Sequence, residues 1–177
     1  LTDQMHDHLN VNDYIVVEGI ATNSTAIPEA YEDDNIKTVF YAGGLNTKYG
    51  IPTLVDAFRS IEDPNYRLVI CGAGNAAPYI TEAASNDERI LFKGQIPRDE
   101  VIELQKTATV LVNPRQNNEV FTKYSFPSKN LEYLSSGTML VAYKLDGIPD
   151  EYDKYIAYVP DNSIGSLADT IVNACSM

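Results

Sequence analysis

Residues 38–58 read TVFYAGGLNTKYGIPTLVDAF, and they hold a complete structural unit. The run TVFYAG (38–43) is apolar, β-branched and aromatic, the composition of a strand. It runs into a glycine-rich turn, AGGLNTKYG (42–50), where missing side chains let a ligand approach the backbone. Ile51, Leu54, Val55, Phe58 and Ile61 then fall on one face at helical spacing, with Pro52 tolerated in the first turn. The unit is strand, loop, helix.

Working outward, the same alternation recurs. Further strand candidates are YIVVEG (14–19), RLVICG (67–72), RILFKG (89–94), TVLVN (109–113), MLVAY (139–143) and YIAYV (155–159). Ile164, Leu167, Ile171, Val172 and Cys175 repeat the helical spacing behind a Ser163 cap. Strands alternating with helices predict an α/β fold, a doubly wound, Rossmann-like parallel sheet covered on both faces. Such sheets bind ligands outside the carboxyl ends of their strands, so the loops of interest follow Gly43, Gly72, Gly94 and Asn113.

The chain has 177 residues at 44% hydrophobic, enough to bury the core of one domain with an extra segment at an end. A net charge of −12 argues against a nucleic-acid partner, because phosphate-backbone binding relies on clustered Lys and Arg. Cys71 lies in an apolar run far from Cys175, which reads as two thiols rather than a disulfide scaffold and favours a reducing compartment. No apolar run is long enough to span a bilayer, and LTDQMHDHLN has neither the basic nor the apolar region of a signal peptide. A cytoplasmic protein is expected. The chain begins at Leu1 and stops just after a helical pattern, so a fragment of something longer is expected too. IPEAYEDDNIK (27–37) carries four acids and a proline and reads as a linker.

YSFPSKNLEYLSSG (124–137) looks like the opening of a short helix. Pro127 sets φ for a first helical position, Ser125 or Phe126 caps it, and Gly137 provides the stop, about ten residues on. The amides from Pro127 to Lys129, the Ser128 hydroxyl and the Lys129 ammonium could hold a phosphate or diphosphate. Glu132, one turn above Ser128, suits the two hydroxyls of an attached ribose. The competing reading is a capped core helix in which Leu131 and Leu134 pack while Lys129 and Glu132 form a solvated pair.

Lys48 could reach a phosphate from the first glycine turn, or be the surface lysine of a tight turn; G-x-x-x-x-G-K-[ST] is absent. CGAGNAA (71–77) fits the G-x-G-x-x-[GA] dinucleotide pattern, which needs an acid ~20 residues on. Lys93 stands there, so an NAD site is disfavoured and the glycines read as a close strand-to-helix turn. His6 and His8 flank Asp7 without evident metal partners, no D-x-D pair occurs, and no Ser/His/Asp arrangement is available. No metal and no cofactor are expected.

AGGLNTKYGIPTLVDAF, VICGAG, ILFKGQIP and YSFPSKNLEYLSSGTMLVA fall in an order that resembles the C-terminal domain of GT-B glycosyltransferases, specifically the retaining glycosyltransferase family 4. The likeness runs from about Thr38 to Val159. It implies two Rossmann-like domains facing a cleft, the C-terminal one holding a nucleotide-sugar donor and the N-terminal one the acceptor. On this resemblance residues 1–22 are the end of the N-terminal domain and the interdomain crossing, 23–37 the acidic linker and 38–177 the nucleotide-sugar-binding domain, truncated at its C-terminus.

The family's E-x7-E signature falls on Tyr124 to Glu132, which implies Glu132 at the ribose hydroxyls. Tyr124 replaces the glutamate that contacts the donor sugar, so sugar recognition differs here, and Glu119 is a candidate substitute. The family's loop arginine corresponds to Gly44, leaving Lys48 as the surviving diphosphate contact and raising the interest of Lys129 and Arg115. KGQIP (93–97) resembles the loop that meets the nucleobase, with Gln95 and Ile96 as contacts. With Ser125, Phe126, Pro127 and Ser128 of the helix start, these complete the expected donor site.

The resemblance therefore implies the donor-binding domain of a metal-independent, retaining hexosyltransferase that uses a nucleotide-diphosphate sugar, UDP-linked, to build a cell-surface or capsular polysaccharide. The acceptor, a glycan or lipid-linked sugar, and the general base would belong to the other half. The full enzyme could dock peripherally on a membrane, and the isolated chain should bind nucleotide weakly and transfer nothing. Two alternatives stay open. A nucleotide-sugar epimerase would turn over sugar nucleotide without an acceptor, and a non-catalytic doubly wound module binding a protein or small ligand would show no nucleotide affinity.

Overall fold

A computed structural model of the chain describes residues 17, 19, 35–118, 122, 124 and 126–177. All of the expected strand at 14–19 except Val17 and Gly19, the domain boundary at 22 and nearly all of the acidic linker lie outside them, as do His6, His8, Glu119 and Ser125.

Among the described residues six strands form one all-parallel sheet: β1 (Lys37–Gly44), β2 (Tyr66–Ala73), β3 (Ile90–Gly94), β4 (Val110–Asn113), β5 (Met139–Tyr143) and β6 (Ile156–Val159). Five helices connect or follow them: α1 (Ile51–Arg59), α2 (Ala77–Asn86), α3 (Arg98–Thr107), α4 (Ser128–Ser136) and α5 (Ile164–Ala174). The strand order is β3-β2-β1-β4-β5-β6. α1 packs against α2 and α5, and α3 against α4. Right-handed crossovers from a sheet whose order reverses after β3 put those two groups on opposite faces, so the doubly wound arrangement is realised.

Local chemistry accounts for most elements. Val39, Phe40, Tyr41 and Ala42 of β1 are buried consecutively, as expected of a strand covered on both faces. α1 buries Ile51, Leu54, Val55, Ala57 and Phe58, with Pro52 in its first turn. Each large apolar side chain so buried contributes about 1.5–3 kcal/mol. α5 is capped by Ser163, whose Oγ accepts from the Ser166 amide at 3.1 Å. Its buried stripe is Leu167, Ala168, Ile171 and Ala174, whereas Ile164 in the first turn and Val172 at the stripe's edge stay exposed. Cys71 and Cys175 are both free and buried.

Two expectations about α4 need correction. The helix begins at Ser128, and Pro127 is its cap residue, at φ −65° and ψ 113°, with no side-chain cap. Phe126 does not cap it either: its ring is buried in the core, 4.8 Å from the Tyr152 ring centroid. Gly137, at φ 82°, ends the helix as expected.

The strand order reverses between β1 and β4, and here the sheet begins to open. Eight residue pairs join β1 to β2, from Lys37–Tyr66 to Gly44–Ala73. Only Val39–Val110 and Phe40–Leu111 join β1 to β4, although both strands run further. The loops after β1 and β2 are in turn locked together: the Leu45 amide donates to the Ala73 carbonyl and the Ala76 amide to the Leu45 carbonyl, each at 2.9 Å.

The close approach of the two strand ends also needs Gly72, which pairs with Gly43. Its φ is 135°, and a Cβ there would fall on the Gly43 carbonyl oxygen, whereas one at Gly137 would meet nothing. Gly137→Ala should cost about 1–2 kcal/mol, the left-handed backbone penalty alone. Gly72→Ala should cost clearly more, because main chain must move as well. Equal losses in urea unfolding would show that the close approach is unimportant.

Candidate functional site

Beyond Phe40 and Leu111 the peptide groups of Ala42 have lost their strand partner, and α4 supplies replacements. The Tyr133 hydroxyl accepts from the Ala42 amide at 2.9 Å and donates to the Ala42 carbonyl at 3.3 Å. The Lys129 ammonium donates to the same carbonyl. Asn130 faces the other strand, its Oδ1 accepting from Asn113 Nδ2 at 2.6 Å. The fully buried residues of α4 are therefore Asn130 and Tyr133, while Leu131 and Leu134 are only partly buried. The helix lays a polar face into the parting between β1 and β4.

Two cavities open where the strands part. The larger, about 390 Å³, lies over the carboxyl ends of β1 and β2 and the loop after β3; Gly44, Gln95, Ile96, Lys129 and Glu132 are among its walls. The smaller, about 180 Å³, lies over β1, β4 and the start of α4, with walls that include Gly44, Arg115, Pro127, Ser128 and Lys129. Gly44 and Lys129 border both. Eight of the thirteen residues expected at a donor site thus line one or other of these two adjoining cavities, which together form a crevice at the sheet's switch point.

The others are placed differently. Lys48 lies on a short 3-10 turn, Thr47–Tyr49, exposed and outside both linings, with Nζ 5.4 Å from the Tyr49 ring centroid. Phe126 is a core residue, and Tyr124 is half-buried outside both linings. Glu119 and Ser125 are not among the described residues.

The crevice also holds residues that the sequence reading passed over. Arg98 and Val101 of α3 reach the larger cavity, and Tyr41, Tyr49 and Asn113 the smaller. The Arg115 guanidinium lies 5.2 Å from the Tyr49 ring centroid, a stacked position. The Tyr41 hydroxyl donates to the Gly44 carbonyl at 3.0 Å and so braces the glycine turn. The Arg115–Tyr49 contact joins residues distant in the chain, so no local pattern announces it.

Electrostatics set the roles. Burial pushes the Lys129 ammonium below its ordinary pKa, with the negative charge of Glu132 acting against that shift. Its Nζ sits against Gly43, 5.2 and 5.3 Å from the Tyr41 and Tyr133 ring centroids. Lys129 and Glu132 do not form the solvated pair of the competing reading: Lys129 is turned toward β1, and Glu132 Oε1 accepts from Gln105 Nε2 at 2.6 Å. Among the described residues no side chain caps the α4 start; the Asn130 amide donates to the Pro127 carbonyl at 2.9 Å, so the Ser128 and Lys129 amides, with the positive end of the helix dipole, are the ones left for an anion. Burial pushes the Cys71 thiol up to about 11, which leaves it protonated and inert at neutral pH. Gly72 and Gly74 are engaged with the carbonyls of Gly43 and Leu45, the close-turn role rather than a dinucleotide cradle. Among the described residues no three His, Cys, Asp or Glu side chains gather as for a metal ion, and no helix is long and apolar enough to cross a membrane.

A doubly wound parallel sheet with a helix start and a lysine at its switch point places the crevice where α/β domains of this class bind their ligands. The chain belongs to the glycosyl transferases group 1 family, whose model matches residues 23–176. Its fold is that of a GT-B C-terminal domain. The C-terminal domain of a glycosyl transferase group 1 family protein, LpcC, from Francisella tularensis matches with a TM-score of 0.62 at 15% identity, over 89% of each chain. A glycosyltransferase from Rickettsia africae matches with a TM-score of 0.65 at 15% identity, over 81% of this chain and 38% of that one. An E. coli trehalose-6-phosphate protein bound with UDP-2-fluoro glucose matches with a TM-score of 0.62 at 14% identity, over 81% of this chain and 37% of that one. The chain thus spans less than two-fifths of the longer structures it resembles. No curated protein among those compared matches its sequence.

The lowered pKa of Lys129 bears on the stability of the fold. A lysine whose folded pKa lies below its unfolded value opposes folding while charged, so stability should rise as pH climbs from the lowered value toward about 10.4. Lys129→Met keeps the stem against Tyr41 and Tyr133, and Tyr133 still serves Ala42. The variant should melt no lower than the parent at neutral pH and show a flatter alkaline rise. A clear fall in Tm would show that the ammonium is a net stabiliser.

Proposed function

We propose that this chain is the donor half of a retaining glycosyltransferase and that the crevice holds a nucleotide-diphosphate sugar. The observation that carries this reading is the shared wall: Gly44 and Lys129 border both cavities, beside the uncapped start of α4. A diphosphate there would link a nucleoside in the larger cavity to a sugar in the smaller.

Each part of the donor then has a chemical counterpart. Glu132 offers its carboxyl oxygens as acceptors to ribose hydroxyls, and Gln95 and Ile96 border the space for the base. Lys129, Arg115 and the first amides of α4 face the diphosphate; as the glycosidic bond breaks, charge grows on the leaving phosphate, and these fixed donors would stabilise it. Tyr41, Tyr49 and Asn113 surround the sugar space, where hydroxyl and amide groups can exchange hydrogen bonds with a neutral hexose. The uridine preference draws on the resemblance and on the UDP-2-fluoro glucose bound by a protein of the same fold. The acceptor, the general base and any membrane contact belong to the remainder of the enzyme, and a cytoplasmic transferase of cell-surface glycan synthesis accords with the family resemblance. Metal ions have no assigned part in holding the diphosphate.

Calorimetric titration with UDP, GDP and ADP, in EDTA, tests the proposal. UDP should bind in preference to the other two, and Glu132→Ala should weaken it about tenfold or more, the loss of a charge-assisted bond. Failure of all three to bind at millimolar concentration would overturn the donor reading.

A further inference from the structure

α3 contains one anomaly. Among its ten residues the one fully buried is a glutamine: Gln105 is 2% exposed, while its apolar neighbours Val101 and Leu104 are only partly buried. An amide withdrawn from water must find partners or it destabilises the fold. The main-chain carbonyl of Gln105, near the end of the helix, accepts from Thr138 Oγ1 at 2.8 Å. The side chain reaches across to α4, where Nε2 donates to Glu132 Oε1 at 2.6 Å. Earlier on the same helix, Arg98 and Val101 form part of the wall of the larger cavity, which Glu132 also lines.

We infer that Gln105 is a positioning residue: it holds the Glu132 carboxylate toward the larger cavity so that its remaining acceptor sites receive the vicinal hydroxyls of a ribose, and it thereby sets discrimination between ribo- and 2′-deoxyribonucleotides. This rests on the nucleotide reading of the crevice. A carboxylate has two oxygens and about four acceptor directions, of which the amide uses one. A neutral donor fixes orientation without cancelling the charge, as a lysine or arginine at this place would. An unheld glutamate on a helix surface would lose rotamer freedom on binding, and the Gln105 contact has already restricted it. The carboxylate is thus ordered before ligand arrives.

The test uses the full chain, with UDP and 2′-deoxy-UDP as calorimetric probes, on the parent, Gln105→Met, Glu132→Ala and the double variant. Gln105→Met keeps the length and apolar stem and removes the donor; Gln105→Asn, which keeps an amide too short to reach, serves if the methionine variant does not fold, with thermal melts confirming the fold in either case. The parent should favour UDP over 2′-deoxy-UDP by about tenfold. Gln105→Met should bring the two affinities within about threefold by weakening UDP alone, and should add nothing on top of Glu132→Ala. A merely structural role would weaken both nucleotides equally, and that result, or an unchanged ratio, overturns the inference while leaving the donor reading intact. Failure of the parent to bind either nucleotide overturns both.

Discussion

The crevice exists because two peptide groups lose their strand. β1 and β4 pair for two residues and then separate, leaving the N–H and C=O of Ala42 directed into the parting. Buried main-chain groups without partners are costly, at about 1–3 kcal/mol each, so the separation is stable only if something else bonds to them. The Tyr133 hydroxyl serves both, and Lys129 adds a second donor to the carbonyl. Without α4 the two strands would have to zip further or admit water, and the space over their ends would change shape. The switch point of the sheet is therefore held open by side chains, and the helix that holds it open also presents its bare first turn to the opening.

This arrangement explains why the fold was legible in the sequence and the site only half so. Strands betrayed themselves through short β-branched and aromatic runs, and the turn after β1 through its glycines, because both signals are local. Pro52, Ser163 and Gly137 likewise act on their immediate neighbours, and each stands where its chemistry implied. α4 was harder to read. Its leucines looked like the packing face, yet the surface it must cover is the polar parting of two strands, so Asn130 and Tyr133 turn inward. Tertiary hydrogen bonding overrode the hydrophobic pattern. Phe126 looked like a cap from its place in the chain, but a cap needs an oxygen and its ring found Tyr152. Lys48 belonged to a suggestive loop whose 3-10 turn carries it outside the cavities. The Gln105–Glu132 contact joins positions 27 apart on different helices, and nothing in either segment hints at the other.

The charge of the chain makes the same point on a larger scale. A molecule with 25 acids and 13 basic residues is a poor place for an anion if charge is averaged over its surface. Surface carboxylates, however, are screened within about 8 Å at physiological salt, whereas the groups lining a cleft act through little solvent. The described walls of the two cavities hold Arg98, Arg115 and Lys129 against one carboxylate, Glu132, and that one is tethered to an amide. Burial raises the free energy of the Lys129 ammonium. A negatively charged ligand beside it would recover part of that cost, so on the proposed reading burial of this ammonium would favour charged ligands over neutral ones. On the proposed reading an acidic protein would hold a phosphate through a few local cations rather than through its net field, and the polar packing that opens the sheet at Ala42 sets Lys129 among them.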